Sequence, residues 1–188
     1  FDKETRSKTG NANRHRNYQY AHELFSEPVY DGMLISKGIV DPPDGTTKRY
    51  SPAQRERIER DGGRAFLRLT DRQILIMGDC GAFSYVSQTK PPFTVDEVLQ
   101  FYEEWDANYG LSVDHVIRTY TATHDHGSAN EVDPEVRERQ DITLQLATEF
   151  FETHRTQKCK LIPMGVAQGW SPLSYASAVA KLQQIGYT

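Results

Sequence analysis

Residues 74–86, with the sequence Ile-Leu-Ile-Met-Gly-Asp-Cys-Gly-Ala-Phe-Ser-Tyr-Val, restrict the fold more than any other stretch of the chain. The first four apolar residues predict a strand that is buried on both faces. The strand ends at Gly78, Asp79 follows it, and Gly81 allows a tight turn or a close backbone approach to a ligand. A buried carboxylate is unfavourable unless it is paired or used, so Asp79 is either a capping residue or part of a site.

The rest of the chain alternates short apolar segments with amphipathic helices. Strands are predicted at residues 33–35, 73–78, 111–117 and 160–166, with a further short strand at 65–69. Helices are predicted to begin at the capping residues Ser51, Thr94, Asp133 and Ser171. This order predicts an α/β protein with a parallel sheet, either an open doubly wound sheet or a (β/α) barrel. No GxGxxG or Walker loop follows a strand, which disfavours a nucleotide-binding domain.

Composition limits the classes of function. A length of 188 residues suits one domain with a real core, and no apolar run approaches the ~20 residues of a membrane span. The net charge of −4 excludes a protein that coats nucleic acid. Basic residues are in excess only in the first twenty residues, within a polar N-terminal arm (residues 1–28) that is either solvated or in contact with phosphates. Two cysteines, Cys80 and Cys159, indicate a reducing cytoplasm.

Three polar side chains follow three different predicted strands. Asp79 follows one strand, Asp114 lies towards the end of a second, and Gln168 ends a third. Because the carboxyl ends of parallel strands share one edge of a sheet, we expect the three groups to converge there. Two acids and an amide suit a planar, nitrogen-rich heterocycle, and one acid can act as a general acid or base if burial raises its pKa. The alternatives are a capping or loop acid at Asp114 and a backbone-satisfying amide at Gln168.

Three other groups are predicted to have structural roles. His115 is next to Asp114 in a strand, so its side chain is expected on the opposite face. The segment His124–Asp125–His126 is expected to be a polar loop, since no third ligand stands at a suitable spacing; no metal ligand is predicted in this chain. Cys80 is expected to be a small buried residue rather than a nucleophile.

These strand ends resemble the tRNA-guanine transglycosylase superfamily, and most closely its branch that inserts 7-deazaguanine bases into DNA. Residues 78–84, Gly-Asp-Cys-Gly-Ala-Phe-Ser, are similar to the Asp-Ser-Gly-Gly-Phe-Gln segment of the family, with Ser84 in place of Gln. Residues 165–169, Gly-Val-Ala-Gln-Gly, are similar to its Val-Gln-Gly segment, and Asp114 falls at its second base-binding acid. The resemblance implies a (β/α)8 TIM-type barrel that exchanges guanine in a nucleic acid for a 7-deazaguanine base.

The resemblance also implies a role for each matched residue. Asp79 is the expected acid/base, and Asp114, Gln168 and Gly169 are expected to bind the base together with the motif residues Phe83 and Ser84. The nucleophilic aspartate and a zinc site are expected outside this chain, so that residues 29–188 form only the N-terminal part of the barrel. DNA is the expected partner, with tRNA as the alternative, and an oligomer is possible. A non-catalytic nucleic-acid-binding subunit and a metal-dependent barrel hydrolase are the other readings.

Overall fold

Four short parallel strands form one sheet, and their order in the sheet is their order in the chain. The computed structural model describes residues 19–27, 29–43, 48–69, 73–125 and 132–188. The strands are β1 (Gly32–Ser36), β2 (Leu75–Asp79), β3 (Tyr109–Leu111) and β4 (Ile162–Met164). The helices are α1 (Lys37–Val40), α2 (Pro52–Asp61), α3 (Gly63–Phe66), α4 (Val95–Glu104), α5 (Pro134–Gln157) and α6 (Pro172–Ile185).

The long helices begin where their capping residues predict. At the start of α2, the Ser51 hydroxyl accepts the Gln54 N–H at 3.3 Å, and the Gln54 side chain accepts the Ser51 N–H at 2.8 Å. Thr94 and Glu97 make the same reciprocal pair at the start of α4. Each pair satisfies backbone donors that a helix end otherwise leaves without partners.

The helices α4, α5 and α6 form a layer on one face of the sheet. The ring of Tyr102 in α4 packs directly on Gly78 of β2 and Gly110 of β3, leaving no room there for a Cβ atom. Phe150 of α5 lies against Tyr102, with 6.2 Å between ring centroids, and Ala178 of α6 packs in one cluster with residues of α5. Helices therefore cover this face of the strands.

The opposite face of the sheet is open in the described part of the chain. Leu34 is 57% exposed, Leu75 42% and Ile162 55%, and all three alternate along their strands with residues of the helix-covered face. The prediction that the central strand is buried on both faces is therefore wrong at Leu75. Sequential strand order with one helix layer is compatible with a partial TIM-type barrel and differs from a doubly wound sheet, whose helices cover both faces.

Two predicted strands differ from the structure. Residues 65–69 do not form a strand: residues 63–66 are the helix α3, and Phe66 and Leu69 are buried three positions apart, because a short apolar run fits either structure. The predicted strand 111–117 pairs only over Tyr109–Leu111. Beyond it the buried chain is held by other bonds, such as the one from the Val166 N–H to the Ser112 hydroxyl at 3.0 Å. Asp114 therefore lies three residues past its strand.

The predicted N-terminal arm is described only in part. Residues 1–18 and 28, and with them most of the arm for which a phosphate contact is the alternative, lie outside the described residues. Within the described part of the arm, Ala21–Glu23 form a 3-10 turn. His22 anchors it, with one ring nitrogen 2.8 Å from the Tyr30 hydroxyl and the other 2.9 Å from the Leu67 carbonyl. Among the described helices, none has the length and apolar character needed to cross a membrane.

Candidate active site

A cavity of about 530 Å³ opens at the carboxyl edge of the sheet. Its wall includes five of the residues singled out from the sequence, namely Asp79, Phe83, Ser84, Asp114 and Gln168. They come from the ends of β2, β3 and β4 and the loops that follow. The predicted convergence of two acids and an amide is therefore what the structure shows.

Asp79 is the last residue of β2 and lies opposite Ser36 of β1 in the sheet register. Alternation along β2 places its side chain on the open face, together with Leu75 and Met77. The half-buried carboxylate has no hydrogen-bond partner among the described residues, so it does not cap a helix there. Its oxygens are therefore free to meet a ligand in the cavity.

Asp114 is held from both sides. One carboxylate oxygen accepts the Gln168 side-chain N–H at 2.6 Å, and the other accepts the Cys80 thiol at 3.2 Å. Only 6% of the residue is exposed. Burial raises the pKa of Asp114 above its ordinary value, the bonds from Cys80 and Gln168 oppose that shift, and the charge of Asp79 adds to it.

The Gln168 side chain has a fixed orientation because both ends of its amide are used. Its oxygen accepts the Ile117 N–H at 3.2 Å, while its nitrogen donates to Asp114. The Gln140 side chain of α5 donates to the Gln168 carbonyl at 2.8 Å. Gln168 thus satisfies the backbone N–H of Ile117, which is the alternative role predicted for it, and it also orients Asp114.

The loop after β2 makes a sharp turn at Gly81, whose φ is 84°. A Cβ atom there would meet Gly38 and the Ser36 hydroxyl, so the position requires glycine for its conformation and for space. The Ser84 hydroxyl donates to the Gly81 carbonyl at 2.7 Å and closes the turn. Phe83 stands out from it, 77% exposed at the cavity.

Gly169 is placed differently from the other predicted binding residues. It is buried against the side chains of Ser174 and Tyr175 at the start of α6 and is not part of the cavity wall described above. Its neighbours Gln168 and Tyr175 do line the cavity.

Sequence reasoning missed two residues that support the site. Besides its bond to Asp114, the Cys80 sulfur lies 3.1 Å from the Tyr85 hydroxyl, which donates to the Asp114 carbonyl at 3.0 Å. Cys80 is fully buried, as predicted, and burial and the Asp114 charge raise the pKa of its thiol. A Tyr five residues after a Cys gives no signal that the sequence alone makes recognisable.

His115 is structural, as predicted. Its Nδ1 lies 3.0 Å from a nitrogen of Arg139, which is a donor, so Nε2 carries the ring proton and donates to the Gln88 carbonyl at 2.9 Å. Burial and the charge of Arg139 lower the pKa of His115. The ring is therefore a neutral link between two loops and not part of the cavity wall.

The segment 124–126 contributes one helix cap. The Asp125 carboxylate accepts the Leu173 N–H at 3.1 Å, at the start of α6. His126 and the side chain of His124 lie outside the described residues. Within the described residues, no group of three or more His, Cys, Asp or Glu side chains is arranged to hold a metal ion.

Comparison with known proteins agrees with the resemblance predicted from the motifs. No family model matches the chain. The chain is 46% identical over 187 residues to a protein of Salmonella montevideo named DNA-guanine transglycosylase. The match covers 100% of this chain and 43% of the relative, so the chain spans less than half of the relative's length. The similarity to the transglycosylase superfamily and to its DNA branch is thereby confirmed.

Proposed function

We propose that this chain is part of a base-exchanging transglycosylase that replaces guanine in DNA with a 7-deazaguanine base. The observation that carries the proposal is the convergence of Asp79, Asp114 and Gln168 on one cavity, in a chain 46% identical to a DNA-guanine transglycosylase. Two carboxylates and an amide offer the acceptors and donors that a purine-like ring needs, whereas two nearby carboxylates repel a phosphate.

Residues 29–188 are proposed to be the N-terminal part of a (β/α)8 barrel. Sequential parallel strands, one helix layer and a cavity at the carboxyl strand ends support this, since barrel enzymes place their sites at that edge. The open sheet face is the one that a closed barrel would turn inward. The relative has more than twice the length of this chain, which provides for the remaining strands.

Asp79 is proposed to be the acid/base. In the exchange, an aspartate expected outside this chain attacks the sugar carbon C1′, the N9–C1′ bond of guanine breaks, and a covalent sugar–enzyme bond forms. Asp79 gives a proton to the departing guanine and takes one from N9 of the incoming base, which then displaces the aspartate from C1′. A carboxylate that is free of protein partners and faces the cavity is suited to both proton transfers.

The other cavity residues are proposed to hold the base. Asp114 would accept N–H groups of the amine edge, since each carboxylate oxygen has a second lone pair beyond the bonds from Gln168 and Cys80. Gln168 would lie at the carbonyl side of the base, with Gly169 behind it against the start of α6, and Phe83 would contact a ring face. Ser84, turned to the Gly81 carbonyl, supports the loop. The nucleotide must leave the base stack to reach this cavity.

Zinc has no step in this proposal. The described residues do not fit a zinc site, and the zinc site implied by the resemblance stays a prediction about residues outside this chain.

The test compares the whole protein with its Asp79→Asn variant in an assay that incorporates labelled 7-deazaguanine base into DNA and tRNA in parallel. We expect incorporation into DNA and a loss of at least ~100-fold in the variant, as is common when a general acid or base is removed. The control is Asp61→Asn in α2, an exposed acid that is not part of the cavity wall, which should leave the rate unchanged. Incorporation by Asp79→Asn at the wild-type rate would contradict the role given to Asp79.

Other outcomes of the same assay select the alternatives. Incorporation into tRNA alone would identify a tRNA-guanine transglycosylase of the queuosine or archaeosine type. Binding of nucleic acid without incorporation into either polymer would identify a non-catalytic subunit of the same fold. A cytoplasmic location and an oligomeric state remain predictions from the sequence.

A further inference from the structure

The segments that follow β2, β3 and β4 each present a large, exposed apolar side chain near the carboxyl edge of the sheet, two from loops and the third from the first turn of α6. These are Phe83 at 77% exposure, Tyr120 at 61% and Leu173 at 62%. Single exposed apolar residues are normal on a protein surface, but one after each of three neighbouring strands, with Phe83 in the cavity wall, favours a surface that meets a partner. The three residues are called the rim here.

Tyr120 differs from Phe83 in its position at this rim. Phe83 lines the cavity, whereas the chain leaves the cavity wall at Ile117 and Tyr120 follows three residues later. Three residues span at most about 11 Å, and neighbouring bases on one strand are about 3.4 Å apart. Tyr120 is therefore outside the pocket for the exchanged base but within reach of its neighbours.

The segment that carries Tyr120 is fixed on both sides. The Thr121 N–H donates to the Trp170 carbonyl at 2.8 Å, and the Ile117 N–H donates to Gln168 at 3.2 Å. Asp125, further along, is tied to the start of α6. The backbone at Tyr120 is thus anchored to the loop after β4, and the exposed Tyr120 side chain stands on a segment held by hydrogen bonds.

Arg118 adds a positive charge to the same segment. It is exposed, and its guanidinium makes no ion pair or hydrogen bond with a described residue. Asp133 and Glu135, at the start of α5, are also exposed and would repel phosphates. The positive charge of Arg118 beside the ring of Tyr120 suits contact with one phosphate and one base. The carboxylates further along the chain disfavour contact with a longer stretch of the DNA backbone.

We propose that Tyr120 stacks on the base next to the exchanged nucleotide and that Arg118 contacts an adjacent phosphate of the DNA. This rests on the proposed function, in which the target guanine leaves the duplex. Extrusion breaks stacking at a cost of a few kcal/mol, and an aromatic ring on the neighbouring base restores part of it. The rim would thus stabilise the opened DNA while the cavity holds the base.

The experiment uses the whole protein and a duplex with a stable abasic analogue at the target position, which offers the gap without an exchangeable base. Tyr120→Ala should weaken binding by about 5- to 100-fold, the range for losing one base–aromatic stack. Tyr120→Phe keeps the ring and should stay within about threefold of wild type. Arg118→Gln should lower the slope of log K against log salt by about 1, and Arg60→Gln, at an exposed arginine of α2 that pairs with Asp61, should not change it.

Unchanged affinity in Tyr120→Ala, or an equal loss in Tyr120→Phe and Tyr120→Ala, would overturn the stacking role. An unchanged salt slope in Arg118→Gln would overturn the phosphate contact. These exposed substitutions should leave the thermal midpoint unchanged, so a loss of binding reports on the contact. If the proposed function is wrong, the wild-type protein will exchange no base in the incorporation assay. That outcome does not depend on the DNA binding measured for the Tyr120 variants.

Discussion

At the scale of single residues, the two acids of the cavity differ in what already holds their oxygens. Asp114 accepts hydrogen bonds on both oxygens and is nearly buried, whereas Asp79 is half-buried without such partners. An acid held from both sides has a fixed geometry, which suits recognition of a base edge. An acid free of protein partners can exchange a proton with a ligand, which suits the acid/base role.

The buried acid should lower stability at neutral pH. Burial raises the pKa of Asp114 in the folded protein, so the folded state binds a proton more tightly than the unfolded state. The contribution of Asp114 to the free energy of unfolding therefore falls as pH rises above about 4. Asp114→Asn removes this pH-dependent contribution to the free energy of unfolding. We expect the stability of Asp114→Asn relative to wild type to increase from pH 4 to pH 7 in urea unfolding, while base binding is lost.

Asp61→Asn is the control for this prediction. Hydrogen bonding to Arg60 lowers the pKa of Asp61, so its contribution to stability is lost only as pH falls below about 5, and the relative stability of Asp61→Asn should not increase between pH 4 and pH 7. If the relative stability of Asp114→Asn does not change over this pH range, burial does not raise the pKa of Asp114 in the folded protein.

At the scale of elements, one side chain of α5 joins the loops that carry the two acids. The Arg139 guanidinium donates at 3.0 Å each to the Val86 carbonyl, in the loop after β2, and to the Val116 carbonyl, after β3. It also donates to His115 and pairs with Glu135 at 2.7 Å. The helix thereby fixes the spacing of the two loops on which the site depends.

Arg139→Gln should destabilise the protein by about 3 kcal/mol, because it leaves two carbonyls with unsatisfied hydrogen-bonding capacity at ~1–3 kcal/mol each. Urea unfolding of the whole protein measures this. The matched control is Arg137→Gln, two residues earlier on α5, whose Nε atom is buried without a partner among the described residues. An equal effect of the two substitutions would mean that the loop contacts of Arg139 do not matter.

The elements that could be predicted are those with local signals. Ser51, Thr94 and Ser171 mark helix starts because a capping bond depends only on residues within one turn. The helix at 63–66 could not be predicted, since it depends on Trp105 packing tightly against Gly63. The convergence of Asp79 and Gln168 followed from parallel strand ends, whereas the Cys80 bond to Asp114 joins two loops that are far apart along the chain, which no local pattern encodes.

At the scale of the whole molecule, the open sheet face is the feature that demands a partner. Leu34, Leu75, Ile162 and Met164 form an exposed apolar stripe that continues to Asp79 at the cavity. Such a stripe is unfavourable in water by roughly 25 cal/mol for each Å² of apolar surface left exposed. A (β/α)8 barrel turns this face into its filled interior, with side chains from the remaining strands packed against it.

Thiol labelling of the whole protein tests whether the barrel closes over this stripe. Leu34→Cys and Leu75→Cys, each in a Cys159→Ser background, should be protected from a maleimide reagent, because strands beyond this chain would cover both positions. Cys80 is fully buried and should not react. Leu24→Cys is the control, since Leu24 is 56% exposed and lies outside the sheet. Urea should expose both positions only with global unfolding, since a filled barrel interior opens cooperatively. Rapid labelling at positions 34 and 75 in folded protein would contradict the barrel, because an open sheet leaves these side chains in solvent.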